Sequence, residues 1–190
     1  MKRIGILGGT FNPIHIGHLV IAEKSREEFN LDQVFFVPCY VPPHKSREGL
    51  MSVKDRFNMV RLGVKDNPAF CASDFEIKRK QKSYTIDTVL YFKNKWPKSK
   101  LFFIIGGDML AGLKDWKDIE KIVKLSSFIV VNRPGNSAPH KSIAYHSIKF
   151  PGIDVSSSYI RRCLRKKESI RYLVPDEVAR YIRQHKLFKV

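Results

Sequence analysis

Cysteine is scarce. Cys39, Cys71 and Cys163 stand far apart among 190 residues, without Cys-x-x-Cys spacing. That excludes a disulfide framework and argues against a zinc site, leaving free thiols in a reducing compartment. Long hydrophobic runs are missing too: no apolar stretch nears the ~20 residues that span a bilayer. After Met1-Lys2-Arg3 the apolar run Ile4–Leu7 turns into Gly8-Gly9-Thr10, too soon for a signal-peptide core. It reads as a buried strand, and the expected location is the cytoplasm, with no membrane partner. Acidic residues are few, 18 Asp+Glu against 35 Lys+Arg, a net charge of +17. Such a surface attracts polyanions, be they nucleic acids, acidic membranes or nucleotide phosphates. The basic residues are dispersed, with mild clusters at Lys78-Arg79-Lys80 and from Arg161 to Lys167, so a solvated lysine-rich surface accounts for most of them. Repeats, low-complexity tracts and linker-like stretches are absent.

What is present is enough apolar content, 43%, for a core. The length suits one domain over residues 1–190, with C-terminal helices from about residue 156 packed on it. Strand-like and helix-like segments alternate. Strands are predicted at Ile4–Leu7, Val34–Val37, Leu101–Ile105, Phe128–Val131 and Ile148–Phe150, with an extended segment at Phe70–Ile77. Helices are predicted at Gly17–Phe29, after an N-cap at Ser52 with Phe57, Val60 and Val64 at helical spacing, and at Thr85–Lys95 with Ile86, Val89 and Leu90 inward. Others carry Ile119, Ile122 and Val123, follow Ser156 with Ile160 and Leu164, and begin at Pro175-Asp176-Glu177 with Val178, Tyr181 and Ile182 buried. This alternation implies an α/β, Rossmann-like, doubly wound fold with a mainly parallel sheet and helices on both faces. Ligands in such sheets bind beyond the carboxyl ends of the strands, where strand order reverses. The turns after Leu7, after Ile105 and into Ser156 therefore matter most.

The segment Gly8-Gly9-Thr10-Phe11-Asn12-Pro13-Ile14-His15-Ile16-Gly17-His18 is the strongest signal. Two glycines after a strand allow a tight turn close to a ligand. The helix that follows offers free N–H groups and a favourable dipole to phosphate. His15 and His18, three apart, share a face and can hold oxygens whose charge grows during nucleotidyl transfer. A metal pair lacks a third ligand at matching spacing. A second constellation, Val155-Ser156-Ser157-Ser158-Tyr159-Ile160-Arg161-Arg162, places serine hydroxyls and free N–H groups at a helix start, with Arg161 one turn on.

His15-Ile16-Gly17-His18 spells the HIGH motif, and the longer string resembles the Gly-Gly-x-Phe-x-Pro-x-His-x-Gly-His signature of nucleotidyltransferases. Class I aminoacyl-tRNA synthetases carry a related motif but are much larger. The serine segment resembles the superfamily's second signature, Ile-Ser-Ser-Thr-x-Ile-Arg, with Ser158 in place of threonine. Further strings are similar to those of bacterial nicotinate-nucleotide adenylyltransferases. They are Pro42-Pro43-His44-Lys45, Ser83-Tyr84-Thr85-Ile86-Asp87-Thr88, Gly106-Gly107-Asp108 followed by Trp116, Arg133-Pro134-Gly135 and Tyr172-Leu173-Val174-Pro175. Many relatives have alanine where Gly107 stands.

The resemblance implies an adenylyltransferase joining nicotinate mononucleotide to the AMP part of ATP, giving deamido-NAD and pyrophosphate. It implies roles as well. Gly8, Gly9, Thr10, Phe11, His15, His18, Gly106, Asp108, Arg133, Ser156, Ser157 and Arg161 line the ATP side. Trp116 stacks on the pyridine ring; Thr85 and Lys117 meet the nicotinate carboxylate; His44 and Lys45 lie near the phosphates. His15, His18, Lys45 and Arg161 supply a positive field, and Mg2+ enters with ATP. No tightly held metal and no nucleic-acid partner is expected, and a homodimer is compatible with the chain. One alternative keeps the chemistry and changes the acceptor, to nicotinamide mononucleotide or phosphopantetheine, or to cytidylyl transfer. Another is a basic nucleic-acid-binding module without catalysis.

Overall fold

The computed structural model describes residues 1–41, 49–132, 143–149 and 153–188. Six strands form one sheet: β1 (Arg3–Gly9), β2 (Gln33–Pro38), β3 (Phe70–Ala72), β4 (Lys100–Gly106), β5 (Ser127–Asn132) and β6 (Tyr145–Lys149). Their order is β3-β2-β1-β4-β5-β6, and every neighbouring pair is parallel. The chain walks outward from β1 to β3, returns to the middle at β4, then walks outward the other way. Strand order reverses between β1 and β4, so the expected doubly wound fold stands, and the carboxyl ends of those two strands are where sheets of this kind bind their ligands.

Successive side chains of a strand point to opposite faces, and here both faces are covered. Leu7, Phe36, Phe102, Ile104, Ile129, Val131 and Ile148 face one core. Ile4, Ile6, Leu101, Phe103, Ile105, Phe128 and Val130 face the other. The first core is closed by α1 (Ile16–Glu28), α2 (Val53–Val64), α6 (Ser157–Arg165) and α7 (Asp176–Gln184). The second is closed by α4 (Thr85–Lys95), a 3-10 helix (Gly107–Asp115) and α5 (Ile119–Leu125). Burying each large apolar side chain is worth about 1.5–3 kcal/mol, which outweighs the few tenths by which helix propensities differ. α1 fully buries only Gly17, Ala22 and Ser25, and it adds the partly covered Leu19 and Ile21 to the core. Small inward residues let it lie close to the sheet, setting its first turn beside the end of β1.

Several predicted details need correction. The inward face of α2 is Arg56, Met59, Val60 and Val64, whereas Phe57 is only partly covered. Phe70–Ile77 is not extended throughout: β3 stops at Ala72, and α3 (Phe75–Arg79) follows. Five residues are too few to show a helical period. α3 is held by tertiary contacts, with the Phe75 and Tyr91 rings stacked at 4.0 Å and Glu76 turned inward to Thr88. In α4 the buried set is Ile86, Thr88, Val89 and Phe92, with Leu90 partly exposed. Tyr181, expected buried, is partly exposed with a bonded hydroxyl. The last strand starts earlier, at Tyr145. The 3-10 helix was not anticipated; its buried Leu110 and Leu113 lie three apart, the spacing that eclipses side chains in that geometry.

Candidate active site

The glycine turn begins where β1 ends. Cys39 N–H donates to the Gly9 carbonyl at 2.9 Å, closing the register of β1 with β2. The chain then reverses through Phe11, whose φ of +48° is left-handed. Its ring is buried and folds back over Gly9, where an added Cβ would lie 2.9 Å from Cζ. Gly9 is therefore required by its own neighbour two residues on. Phe11, expected on the ATP side, presents only backbone there; its ring packs on Phe36 and lies edge-on to His18 at 4.9 Å.

His15 precedes the first turn of α1 with an extended backbone, and its N–H donates to Nδ1 of His18 at 3.2 Å. That acceptor role places the His18 ring proton on Nε2. The two imidazoles lie with centroids 3.7 Å apart. An added Cβ at Gly17 would stand 3.0 Å from Nδ1 of His15, so the glycine between the histidines makes room for the first ring.

The second constellation meets the first directly. Ser156 caps α6, its hydroxyl accepting from Tyr159 N at 3.1 Å. The Ser157 hydroxyl donates to the Pro13 carbonyl at 2.8 Å, and Arg161 Nη1 donates to the Asn12 carbonyl at 3.0 Å. Arg161 Nη2 also reaches the Ser158 hydroxyl at 3.1 Å. Partial burial pushes the Arg161 guanidinium pKa down, helped by nearby Arg165. Asn12 braces the turn from the other side: its amide donates to Gly49 O at 2.9 Å and its oxygen accepts from Met51 N at 3.1 Å.

Beyond β4, an added Cβ at Gly106 would collide with the Asp108 carboxylate, so the acidic side chain curls back over the strand end while remaining exposed. The 3-10 helix leads to Trp116, whose ring packs edge-on against Phe103 at 5.8 Å and Phe128 at 6.0 Å. Lys117 Nζ lies 4.8 Å from the Tyr84 ring, and Tyr84 immediately precedes Thr85, the first residue of α4. Tyr84 and Lys117 thus bring the start of α4 and the Trp116 turn together. His44, Lys45 and Arg133 lie outside the described residues.

Asn12 and Ser83 stand in the motif strings without a role of their own, and Arg56 and Glu76 carry no motif signal at all. Arg56 is fully buried and donates to the carbonyls of Thr10, Cys39, Tyr40 and Met51 at 2.7–3.2 Å. Its position on the face of Met59 and Val60 was the available signal: a lone arginine on an apolar stripe.

A family model described as cytidylyltransferase-like matches residues 6–163. The probable nicotinate-nucleotide adenylyltransferase of Shouchella clausii is 45% identical over 188 residues, covering 99% of this chain and 97% of that one. The protein of the same name from Oceanobacillus iheyensis is 42% identical with the same coverage. Among solved structures, Plasmodium falciparum nicotinic acid mononucleotide adenylyltransferase complexed with NaAD superposes with a TM-score of 0.84. Its identity is 24%, and the match covers 99% of this chain and 98% of that one. That likeness bears on the fold alone.

Proposed function

We infer the reaction from one premise: the chain belongs to the cytidylyltransferase-like family and, within it, to the nicotinate-nucleotide adenylyltransferases. It joins nicotinate mononucleotide and ATP to give deamido-NAD and pyrophosphate. An oxygen of the mononucleotide 5′-phosphate forms a bond to the α-phosphorus of ATP. The bond from that phosphorus to the α,β-bridging oxygen breaks, and its electron pair leaves with pyrophosphate. A phosphate monoester is largely ionised at neutral pH, so neither a covalent nucleophile on the protein nor a general base is required. Catalysis is orientation and charge neutralisation between two anions.

The observation that carries this reading is the join between the two anion-holding helix starts, through Ser157 to the Pro13 carbonyl and Arg161 to the Asn12 carbonyl. One triphosphate can then meet both. We assign the α-phosphate to Gly8, Gly9 and Thr10 and to the Nε2–H of His18, with His15 holding that ring in place. Ser156, Ser157 and the start of α6 receive the departing pyrophosphate, and Arg161 ties their helix to the turn. Gly106 and Asp108 take the nucleoside side. Thr85, Trp116 and Lys117 take nicotinate, whose carboxylate suits fixed donors better than an amide would. His44, Lys45 and Arg133 keep their proposed phosphate and adenine roles on the family resemblance. Mg2+ is part of the substrate: it rides on the ATP phosphates and neutralises charge there. The cytoplasm is the compartment we assign, since a reducing milieu preserves the free thiols of Cys39, Cys71 and Cys163.

The test is incubation with Mg-ATP and nicotinate mononucleotide, nicotinamide mononucleotide or phosphopantetheine, with product measured directly. Deamido-NAD is expected to dominate. Pyrophosphate release with phosphopantetheine but not with nicotinate mononucleotide would overturn the assignment.

A further inference from the structure

Arg56 is a cation with no exposed surface, and among the described residues its oxygen acceptors are four backbone carbonyls. Burying a charge is costly unless its hydrogen bonds are made in good geometry, and here these bonds extend beyond the guanidinium. Arg56 Nη1 donates to the Cys39 carbonyl at 2.7 Å, and the N–H of that same peptide plane, on Tyr40, donates to the Ser83 hydroxyl at 3.0 Å. Arg56 and Ser83 are thus joined through one peptide plane, and aligned hydrogen bonds of this kind polarise one another. Ser83 stands two residues before α4, and the buried Glu76 takes the Thr88 hydroxyl inside that helix.

Each end of this chain belongs to a different half of the site. Arg56 Nη1 also donates to the Thr10 carbonyl at 2.9 Å, in the phosphate turn. Thr88 lies one turn into α4, whose first residue is Thr85. Ser83 is clipped a second time, its N–H donating to the Val41 carbonyl at 3.3 Å. We propose that Arg56 and Ser83 form a positioning relay that couples the ATP-phosphate turn to the mononucleotide end of α4, so that filling one substrate site tightens the other. The relay rests on the substrate pair proposed above. Displacement of the Thr10 carbonyl by a bound phosphate shifts Arg56, the Cys39–Tyr40 peptide follows, and Ser83 carries the shift to the start of α4.

The experiment is calorimetric titration of the purified full-length protein and its S83A and R56K variants with a non-hydrolysable ATP analogue, alone and with saturating nicotinate mononucleotide. In the wild type the mononucleotide is expected to tighten analogue binding about fivefold or more, the lower end of ordinary coupling between sites. In S83A that factor is expected to fall below about twofold while each ligand alone keeps its affinity. R56K, which retains the charge but loses the planar fork, is expected to lose the coupling too, with weaker analogue binding as well because the Thr10 carbonyl loses its donor. Wild-type coupling that persists in S83A overturns the relay, as do independent binding in the wild type and an equal loss of affinity for both ligands with coupling intact. Product formation by the wild type is measured in parallel: no deamido-NAD would sink the substrate assignment instead.

Discussion

His18 shows how little freedom an active-site side chain has here. Its Nδ1 accepts from the His15 N–H, and Phe11 lies against its ring, which fixes the orientation in which the imidazole meets a growing phosphate charge. H18A is therefore expected to lower kcat by roughly a hundredfold or more, as loss of one oxyanion donor does, with KM for ATP changing far less. Steady-state kinetics of deamido-NAD formation check this; near-normal kcat would remove His18 from the mechanism. Glu76 gives a second expectation, through stability. Burial raises its pKa above the ordinary carboxyl value, against the lowering by the Ser83 and Thr88 hydroxyls and Arg79. A carboxyl whose folded-state pKa is raised contributes most below its unfolded pKa, and that contribution is lost as pH rises through the raised value. E76Q cannot titrate. The wild-type Tm should therefore fall relative to that of E76Q as pH climbs from about 4 to about 8. Parallel Tm curves over that range would contradict the argument.

Helix starts are the working parts of this fold, and α6 is the clearest case. Ser156 satisfies the Tyr159 N–H, and loss of such a cap costs about 1 kcal/mol. S156A should lower Tm by a few degrees and raise KM for ATP more than KM for the mononucleotide. Thermal unfolding and separate substrate titrations test it, and equal rises in both constants would detach α6 from the triphosphate. The caps at Ser52 and Ser156 were legible in sequence because capping is a bond between residues three apart. α3 was not, because Phe75 stacks on Tyr91 and Glu76 bonds to Thr88, contacts that reach a different helix. Arg56 was missed for the same reason: its partners Thr10, Cys39 and Tyr40 belong to other segments.

A net charge of +17 surrounds a site whose two substrates are both anions. Such a field concentrates counter-ions and speeds their arrival, and salt screens it within about 10 Å at 0.1 M. Raising ionic strength should therefore lower kcat/KM for both substrates while kcat changes little, measurable by initial rates at several salt concentrations. A kcat/KM that does not respond to salt would confine the charge to solvation.

Two kinds of information meet in this protein. The alternation of apolar and helical segments, the glycine turn, the paired histidines and the serine-capped helix could be read along the chain, since strand alternation, tight turns and caps depend on residues a few places apart. The joining of the two signatures could not, because Ser157 and Arg161 reach Pro13 and Asn12 across 144 and 149 residues. Nor could the path from Arg56 to Ser83, which exists only because β1 and β2 end side by side and α4 begins next to them. Contacts of that range depend on strand order, and strand order is chosen by which faces bury together.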